Sequence, residues 1–264
     1  MENIIYEYKH DKNPDLIIAQ NDSGYTKKHF HKRIEILYII SGRLRATVND
    51  EEFIAEADDI VFVKNYSIHA FSPEHEYSKF VLIVPSNYTN SAGKVLKTHT
   101  LPPKLDDKEF NRKLLPIFKL LYNENDTTPA LSKKGYFNVI MGYLFDHYPL
   151  LPATNNGGIE FIVDVLQYIN SHYTEDLTLN SISSEFGYNK YYFSRQFNYY
   201  VGESLSNYIN IVRVQHFMLL ASDQKNPAIA SIAMQCGFDS LTTFYRSFKK
   251  MYGTTPKAYF AQKG

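Results

Sequence analysis

Four residues in the N-terminal third combine imidazole with carboxylate at spacings that allow one shared centre: His29, His31, Glu35 and His69. His29, His31 and Glu35 have the same parity, so on a strand all three point to one face. His69 lies 34 residues beyond Glu35, after another strand-like run, and can approach them. Such a donor set suits a transition metal. It suits equally a small-molecule pocket lined by His29, His31, Glu35, Tyr38 and His69, or a group of hydrogen-bonded structural side chains. The pocket is the reading adopted, with no metal and no cofactor assigned. His10, His75, His99, His147, His172 and His216 form no convincing spacing.

A second constellation lies near the C-terminus. Phe193-x-Arg195-x-Phe197-x4-Gly202-x5-Tyr208 reappears as Phe244-x-Arg246-x-Phe248-x4-Gly253-x5-Tyr259, every position offset by 51. Upstream, Ile182…Gly187 matches Ile232…Gly237 at an offset of 50, which leaves a single one-residue insertion. A repeat of this length means two copies of one supersecondary unit. Within a copy, Ile182 and Phe186 lie on one helix face, Gly187 ends that helix, and Asn189 caps the next. Phe193 and Phe197 bury one face of the second helix, which leaves Lys190, Tyr191, Ser194, Arg195 and Asn198 on the others. The second copy has Ile229, Ile232 and Ala233, then Gly237, a cap at Asp239 or Ser240, and Thr242, Tyr245, Arg246 and Lys249 outward. Each copy therefore reads as a helix-turn-helix. An arginine there can bond guanine O6 and N7 with its planar fork, or hold a phosphate, and it is charged at every relevant pH. The competing reading is an all-helical domain whose arginines pair with neighbouring carboxylates.

The elements that position these residues follow from periodicity. LIIAQ, IEILYII, LRATV, DDIVFV and KFVLIV, between residues 16 and 85, read as strands, with Ser41-Gly42 and Asn49-Asp50 as turns. That spacing predicts an antiparallel barrel or sandwich. From Asp106 the period becomes helical. Phe110, Leu114, Ile117 or Phe118, and Leu121 mark one helix with a kink at Pro116. A second helix over 131–148 has Phe137, Ile140, Met141, Leu144 and Phe145 on one side. This pair serves either dimerisation or packing on the barrel. Pro149–Gly158 reads as a linker, and the rest as helix. The predicted domains are 1–100 (β), 101–148 (helical dimerisation segment), 149–158 (linker) and 159–264 (all-α), an α+β multidomain chain. Ser204 to Ser222 reads as one connecting helix, about 28 Å long at ~1.5 Å per residue. Successive major grooves on one DNA face lie about 34 Å apart, so this connector can hold two recognition helices about one turn apart.

Composition restricts the alternatives. With 264 residues, 44% hydrophobic and 21% charged, the chain is an ordinary globular protein of about two domains. Lys+Arg and Asp+Glu are equal at 28 each, so no overall field attracts a polyanion. From residue 225 onward, however, six basic residues face only Asp239, a candidate phosphate-binding patch or a solvated basic face. The lone Cys236 forms no internal disulfide and reads as a small buried residue. No segment has the form of a secretory signal or membrane helix, so a cytoplasmic location is expected. Walker-type, GxGxxG, GxSxG and CxxC motifs are absent from the sequence.

The C-terminal ~100 residues resemble the DNA-binding domain of the AraC/XylS family of bacterial transcription regulators. The resemblance rests on Gly237-Phe238-x5-Phe244-x-Arg246-x-Phe248-Lys249-Lys250-x2-Gly253-x-Thr255-Pro256-x2-Tyr259. Gly187-Tyr188 through Arg195 and Tyr208-x4-Arg213 carry a weaker match. It implies that two helices enter adjacent major grooves of promoter DNA, with base contacts from Lys190, Tyr191, Ser194 and Arg195, and from Leu241, Thr242, Tyr245 and Arg246. Lys249 joins the second set. Leu241 is apolar where the family is usually polar; it meets a thymine methyl or lies in the core beside Phe244. Phe260 replaces a usual Arg and Phe217 a usual Ala, which bears on connector packing.

Gly24-x4-His29-x-His31-x3-Glu35-x6-Gly42, followed by His69, resembles the cupin signature, whose enzymes hold iron or manganese with three His and one Glu. Two marks of that signature are missing: Gly near Asp58 and Pro near Asn65. The regulator family also carries a cupin-like N-terminal domain, commonly without metal. The resemblances together imply a non-enzymatic, effector-controlled activator or repressor. Its implied effector is a small polar molecule, a sugar among the candidates. Its other implied partners are a second copy of the chain and, for an activator, RNA polymerase, with no membrane contact. The alternative is a metal-dependent cupin enzyme with an appended helical domain.

Overall fold

The computed structural model describes residues 4–7, 15–22, 24–124, 127–153, 159–221 and 227–261. They fall into two compact units that meet in the chain between Gly158 and Ile159. Residues 154–158 of the expected linker lie outside the described residues, as do His10, Ser222, Lys225 and Lys263.

In the first unit the strands are β1 (Ile5–Tyr6), β2 (Ile17–Asn21), β3 (Thr26–Phe30), β4 (Ile34–Val48), β5 (Glu51–Glu56), β6 (Ile60–Val63) and β7 (His69–Val84). Helix α1 (Asn90–Leu96), short strands β8 (His99–Thr100) and β9 (Lys104–Leu105), and helices α2 (Lys108–Arg112), α3 (Leu115–Asn123) and α4 (Ala130–His147) follow, and β10 (Leu151–Pro152) pairs with β8. The main sheet runs β1-β3-β7-β4-β6-β9, with β2 on β7 and β5 on β4, and its path does not close among the described residues.

The long antiparallel pair of β4 and β7 organises this sheet. Its register runs from Ile34 opposite Val84 to Ile39 opposite Lys79, shifts around Ser41 and Gly42, and resumes from Leu44 opposite Pro73 to Val48 opposite His69. Ser41-Gly42 is therefore an irregularity inside one strand and not the expected turn between two. Gly42 has φ +78°, and a Cβ there would lie 2.0 Å from the Glu76 carbonyl oxygen, so only glycine lets the two backbones meet. The irregularity also switches side-chain parity. Leu37 and Ile39 before it, and Leu44, Ala46 and Val48 after it, enter one core with Val61, Val63, Phe71, Tyr77, Val81 and Ile83. Asn49 makes the expected turn to β5, at φ +52°.

The opposite face carries the other core. Ile34, Ile36, Tyr38, Phe80 and Leu82 pack with Phe110, Leu114, Phe118, Leu121, Phe137, Ile140, Met141 and Leu144. The helices of residues 101–148 thus share a core with the sheet. The single kinked helix expected around Pro116 is two helices: Asp107 caps α2 by accepting from the Phe110 amide at 3.0 Å, and Pro116 lies in the first turn of α3. Proline is tolerated there because that N–H has no helical partner.

The second unit is helical: α5 (Glu160–His172), α6 (Leu179–Glu185), α7 (Lys190–Val201), α8 (Leu205–Ala221), α9 (Ile229–Gln235), α10 (Leu241–Tyr252) and α11 (Pro256–Ala261). Pairs α6–α7 and α9–α10 are the two copies of the repeat, each with Phe193/Phe197 or Phe244/Phe248 fully buried. Asn189 caps α7 through the Tyr191 amide at 2.9 Å, and Ser240 rather than Asp239 caps α10 through the Thr243 amide at 3.2 Å. The connector α8 stays unbroken for 17 residues, about 25 Å at ~1.5 Å each. Arg213 of α8 donates to the carbonyls of Tyr173 and Glu175, both at 2.8 Å, which fixes the connector to the end of α5. Gly237, at φ +83°, abuts the same carbonyl; a Cβ there would lie 2.6 Å from the Tyr173 oxygen.

Gly42→Ala and Gly237→Ala should each destabilise by more than the about 1–3 kcal/mol of a strained φ alone, because backbone must also move aside. Gly202→Ala, with open space around its φ of +70°, should cost only the conformational part. Urea unfolding followed by circular dichroism measures all three, and equal losses would remove the close-approach argument.

Candidate functional site

The four residues of the first constellation do meet, although not on one strand. His29 is next to last in β3, His31 follows that strand, Glu35 is the second residue of β4 and His69 opens β7. His29 and His69 are direct cross-strand partners, with ring centroids 4.1 Å apart. His31 stands edge-on to His69 at 4.8 Å. One ligand atom from each of the four residues lies within 4.8 Å of all the others. Tyr38 is not among them. Its even position turns it to the helix-covered face, where its ring meets Phe118 at 5.5 Å and its hydroxyl donates to Asp58 at 2.7 Å. Glu35 and Tyr38 differ by three residues, and an odd separation along a strand puts side chains on opposite faces.

Hydrogen bonding fixes the tautomers. The Nδ1 atoms of His29, His31 and His69 face the carbonyls of Lys27, Arg33 and Ser67 at 2.8, 3.0 and 2.9 Å. A carbonyl only accepts, so each Nδ1 carries a hydrogen, and a neutral ring then presents a bare Nε2 lone pair. His31 Nε2 lies 3.0 Å from Glu35 Oε2, and His69 Nε2 lies 3.3 Å from the same oxygen. The second approach is off the line of a good hydrogen bond, and His69 Nε2 is buried without another partner. Lone pairs facing a carboxylate require a cation between them, either protons on the imidazoles or a metal ion. Burial alone would push the Glu35 carboxyl up, but the imidazoles of His31 and His69 hold it well below the usual carboxylate range. Burial, then the neighbouring His69, pushes His29 down and favours its neutral form. The donor set therefore fits a divalent transition ion held by His29, His31, Glu35 and His69, with backbone carbonyls orienting the rings. One missing cupin mark has a replacement, since Asp58 takes the left-handed φ (+69°) expected of a glycine; the other has none, for Tyr66 beside Asn65 is at +65°, a φ that proline cannot adopt.

The second constellation forms an exposed surface in each copy of the repeat. On α7, Lys190, Tyr191 and Arg195 are exposed and Ser194 is half-buried; on α10, Leu241, Thr242, Tyr245, Arg246 and Lys249 are all exposed. Leu241, 38% exposed at the start of its helix, is outside the core. No carboxylate among the described residues pairs with Lys190, Arg195, Arg246 or Lys249, so the reading in which these arginines serve ordinary ion pairs has no support here. Lys250 is different, for it donates to Glu203 at 3.0 Å and ties α10 to the turn after α7. Tyr192, passed over in the sequence, lies beneath the Arg195 guanidinium at 5.9 Å, and the Lys190 ammonium lies 5.3 Å from the Tyr191 ring. The i, i+3 spacing of Tyr192 and Arg195 was the available signal. The two unusual phenylalanines meet one another: Phe217 lies 6.2 Å from Phe260 and 4.6 Å from Phe244.

A β unit with a buried polar centre, followed by a tandem helix-turn-helix unit, defines a protein with a ligand-binding domain and a helix-turn-helix domain. Residues 13–137 match the AraC-like ligand binding domain, and residues 182–262 match a helix-turn-helix domain. The chain belongs to the AraC/XylS family. An HTH-type transcriptional regulator of Staphylococcus aureus (strain COL) is 24% identical over 254 residues, which is 92% of this chain and 33% of that protein. The chain thus spans about a third of the length of that curated relative. The right origin-binding protein of Escherichia coli (strain K12) is 33% identical over 98 residues, 37% of this chain and 34% of the relative. Among solved structures, ToxT from Vibrio cholerae aligns over 94% of this chain and 97% of its own, at 15% identity and a TM-score of 0.42.

Addition of Co²⁺ to the chelator-treated full-length protein should produce visible absorption of a nitrogen- and oxygen-ligated ion and raise the melting temperature. His31→Ala and His69→Ala should lose both effects. An unchanged spectrum with an unchanged melting temperature would leave protons as the cations of this centre.

Proposed function

We propose that the chain is a sequence-specific DNA-binding transcription regulator whose β domain takes a small effector. The observation that carries this is the pair of equivalent arginines, Arg195 and Arg246, exposed on the second helix of each repeat copy and without carboxylate partners among the described residues. Around them, Lys190, Tyr191, Ser194, Leu241, Thr242, Tyr245 and Lys249 supply phosphate contacts, hydroxyls and an apolar contact for a thymine methyl. The unbroken α8 supports a fixed spacing of the two helices, close to one turn of duplex DNA.

The polar centre of the β domain is the effector end of the device, with His29, His31, Glu35 and His69 as its contacts. An ion held there would supply a Lewis-acidic position for an effector's oxygen. Two copies of the chain form the working unit through α4, whose outward face exposes Leu131, Val139 and Tyr143. An activator of this form would also meet RNA polymerase, in the cytoplasm where its DNA is.

Selection of genomic fragments by the purified full-length protein at moderate salt tests the proposal. Enrichment of a few promoters with paired motifs about one turn apart is the expected result. Arg195→Ala and Arg246→Ala should each weaken binding to those sites by about 1–3 kcal/mol and relax the sequence preference at one half of the motif. Wild-type affinity and preference in both variants would remove the base-reading assignment.

A further inference from the structure

On the inner face of the β domain lies a charge with no counterpart among the described residues. Lys79, on β7, shares the odd parity of Tyr77, Val81 and Ile83, so it enters the apolar core of that face. It is only 4% exposed. Its neighbours across the sheet are Ile39 on β4 and Asn21 on β2, neither of them charged. The ammonium lies over the Phe71 ring at 4.8 Å and the Tyr77 ring at 5.4 Å. No carboxylate among the described residues comes within ion-pair distance of it, and Glu35, its nearest electrostatic partner, is already engaged by His31 and His69. A long lysine ordinarily extends its ammonium to water. This one is kept among aromatic rings, where a buried charge persists only with a partner.

We propose that the inner face of this domain is built to take a small organic monoanion, whose carboxylate pairs with Lys79 and whose apolar body lies against Phe71 and Tyr77. The proposal deepens the effector reading above and rests on it. Its chemistry follows from the surroundings. A phosphate or sulfate group calls for several donors or an arginine fork, and Lys79 is a single cation. A sugar calls for a hydrogen-bond partner at nearly every hydroxyl, whereas the immediate surroundings of the Lys79 ammonium, Ile39, Phe71 and Val81, offer none. One charge set in an apolar wall matches one carboxylate on an apolar body. Phe71 also links this position to the imidazole centre, since its ring lies 5.5 Å from His69. Burial pushes the free ammonium's pKa down, and an arriving carboxylate would restore its charge.

The test uses the full-length protein with hexanoate and benzoate as probes, and hexanamide and benzamide as their neutral counterparts. Both carboxylates at millimolar concentration should raise the melting temperature, and the amides should not. Lys79→Met, which keeps the bulk and removes the charge, should melt no lower than wild type without probe and should lose the response. Lys79→Arg should retain part of it. A wild-type protein that neither carboxylate stabilises, or a Lys79→Met protein that responds as wild type does, overturns the proposal. Operator affinity is measured in parallel. A carboxylate that stabilises wild type through Lys79 without changing operator affinity supports the anion site and removes its regulatory link. A carboxylate that changes operator affinity equally in wild type and Lys79→Met overturns the site and leaves the regulator reading intact.

Discussion

Two long strands of the β domain must bend together, and the close passage of Gly42 over the Glu76 carbonyl is where they do so. Each half of β4 and β7 recruits different partners: β6 and β2 on one side of the bend, β5 and β3 on the other. Because the irregularity changes parity, a strand of 15 residues keeps apolar side chains on one face along both halves. That continuity has a chemical consequence. Glu35 lies at one end of β4 and His69 pairs with Val48 at the other, yet the two side chains come within 3.3 Å. Without the bend these residues would sit at opposite ends of a straight pair. The polar centre is therefore a product of backbone geometry first and of side-chain chemistry second.

The helical unit solves a related problem with one charged residue. Arg213 is largely buried in the connector, and its guanidinium binds the two carbonyls that close the region after α5. Helix ends leave carbonyls without partners, so a planar fork fixed on α8 both satisfies them and sets the angle of the connector. Gly237 brings the second repeat copy against the same backbone. The second turn is thereby anchored to α5 and α8, while the first is held by aromatic contacts such as Phe161 with Tyr188 and Phe193. On the outward faces of α7 and α10, Lys190, Arg195, Arg246 and Lys249 have no carboxylate partner among the described residues, while Lys250 is tied to Glu203.

Much of this was legible in the residues. Repeated Phe-x-Arg-x-Phe, with a glycine before and after, marks two buried rings and an outward arginine at fixed helical spacing, and local periodicity decides such features. The convergence of His29, His31, Glu35 and His69 was also legible as chemistry, though by the wrong route: the single strand on which their parity was reckoned is broken at His31. Tyr38 was named with the pocket although the parity that groups His29, His31 and Glu35 excludes it, and it packs on Phe118 instead. Ser41-Gly42 carries turn residues, and nothing local distinguishes a turn from a bulge when the deciding contact is Glu76, 34 residues away. Lys79 could not be singled out, for a lysine in KFVLIV reads as an edge charge until the strand's other half shows which face is covered.

The buried polar groups of the β domain stand in contrast to its well-filled apolar cores. Lys79, His69 Nε2 and one oxygen of Asp59 are all buried without full hydrogen-bond satisfaction among the described residues. Each such group costs stability, and natural folds retain them chiefly where a function uses them. An effector acts on an equilibrium only through its different affinity for two states. A face whose polar groups are all satisfied offers little difference to exploit. A face on which an ammonium lies among aromatic rings, and three imidazoles converge on one carboxylate, changes its free energy on binding by much more. The same groups that cost the fold stability are thus what would let a small ligand move the domain.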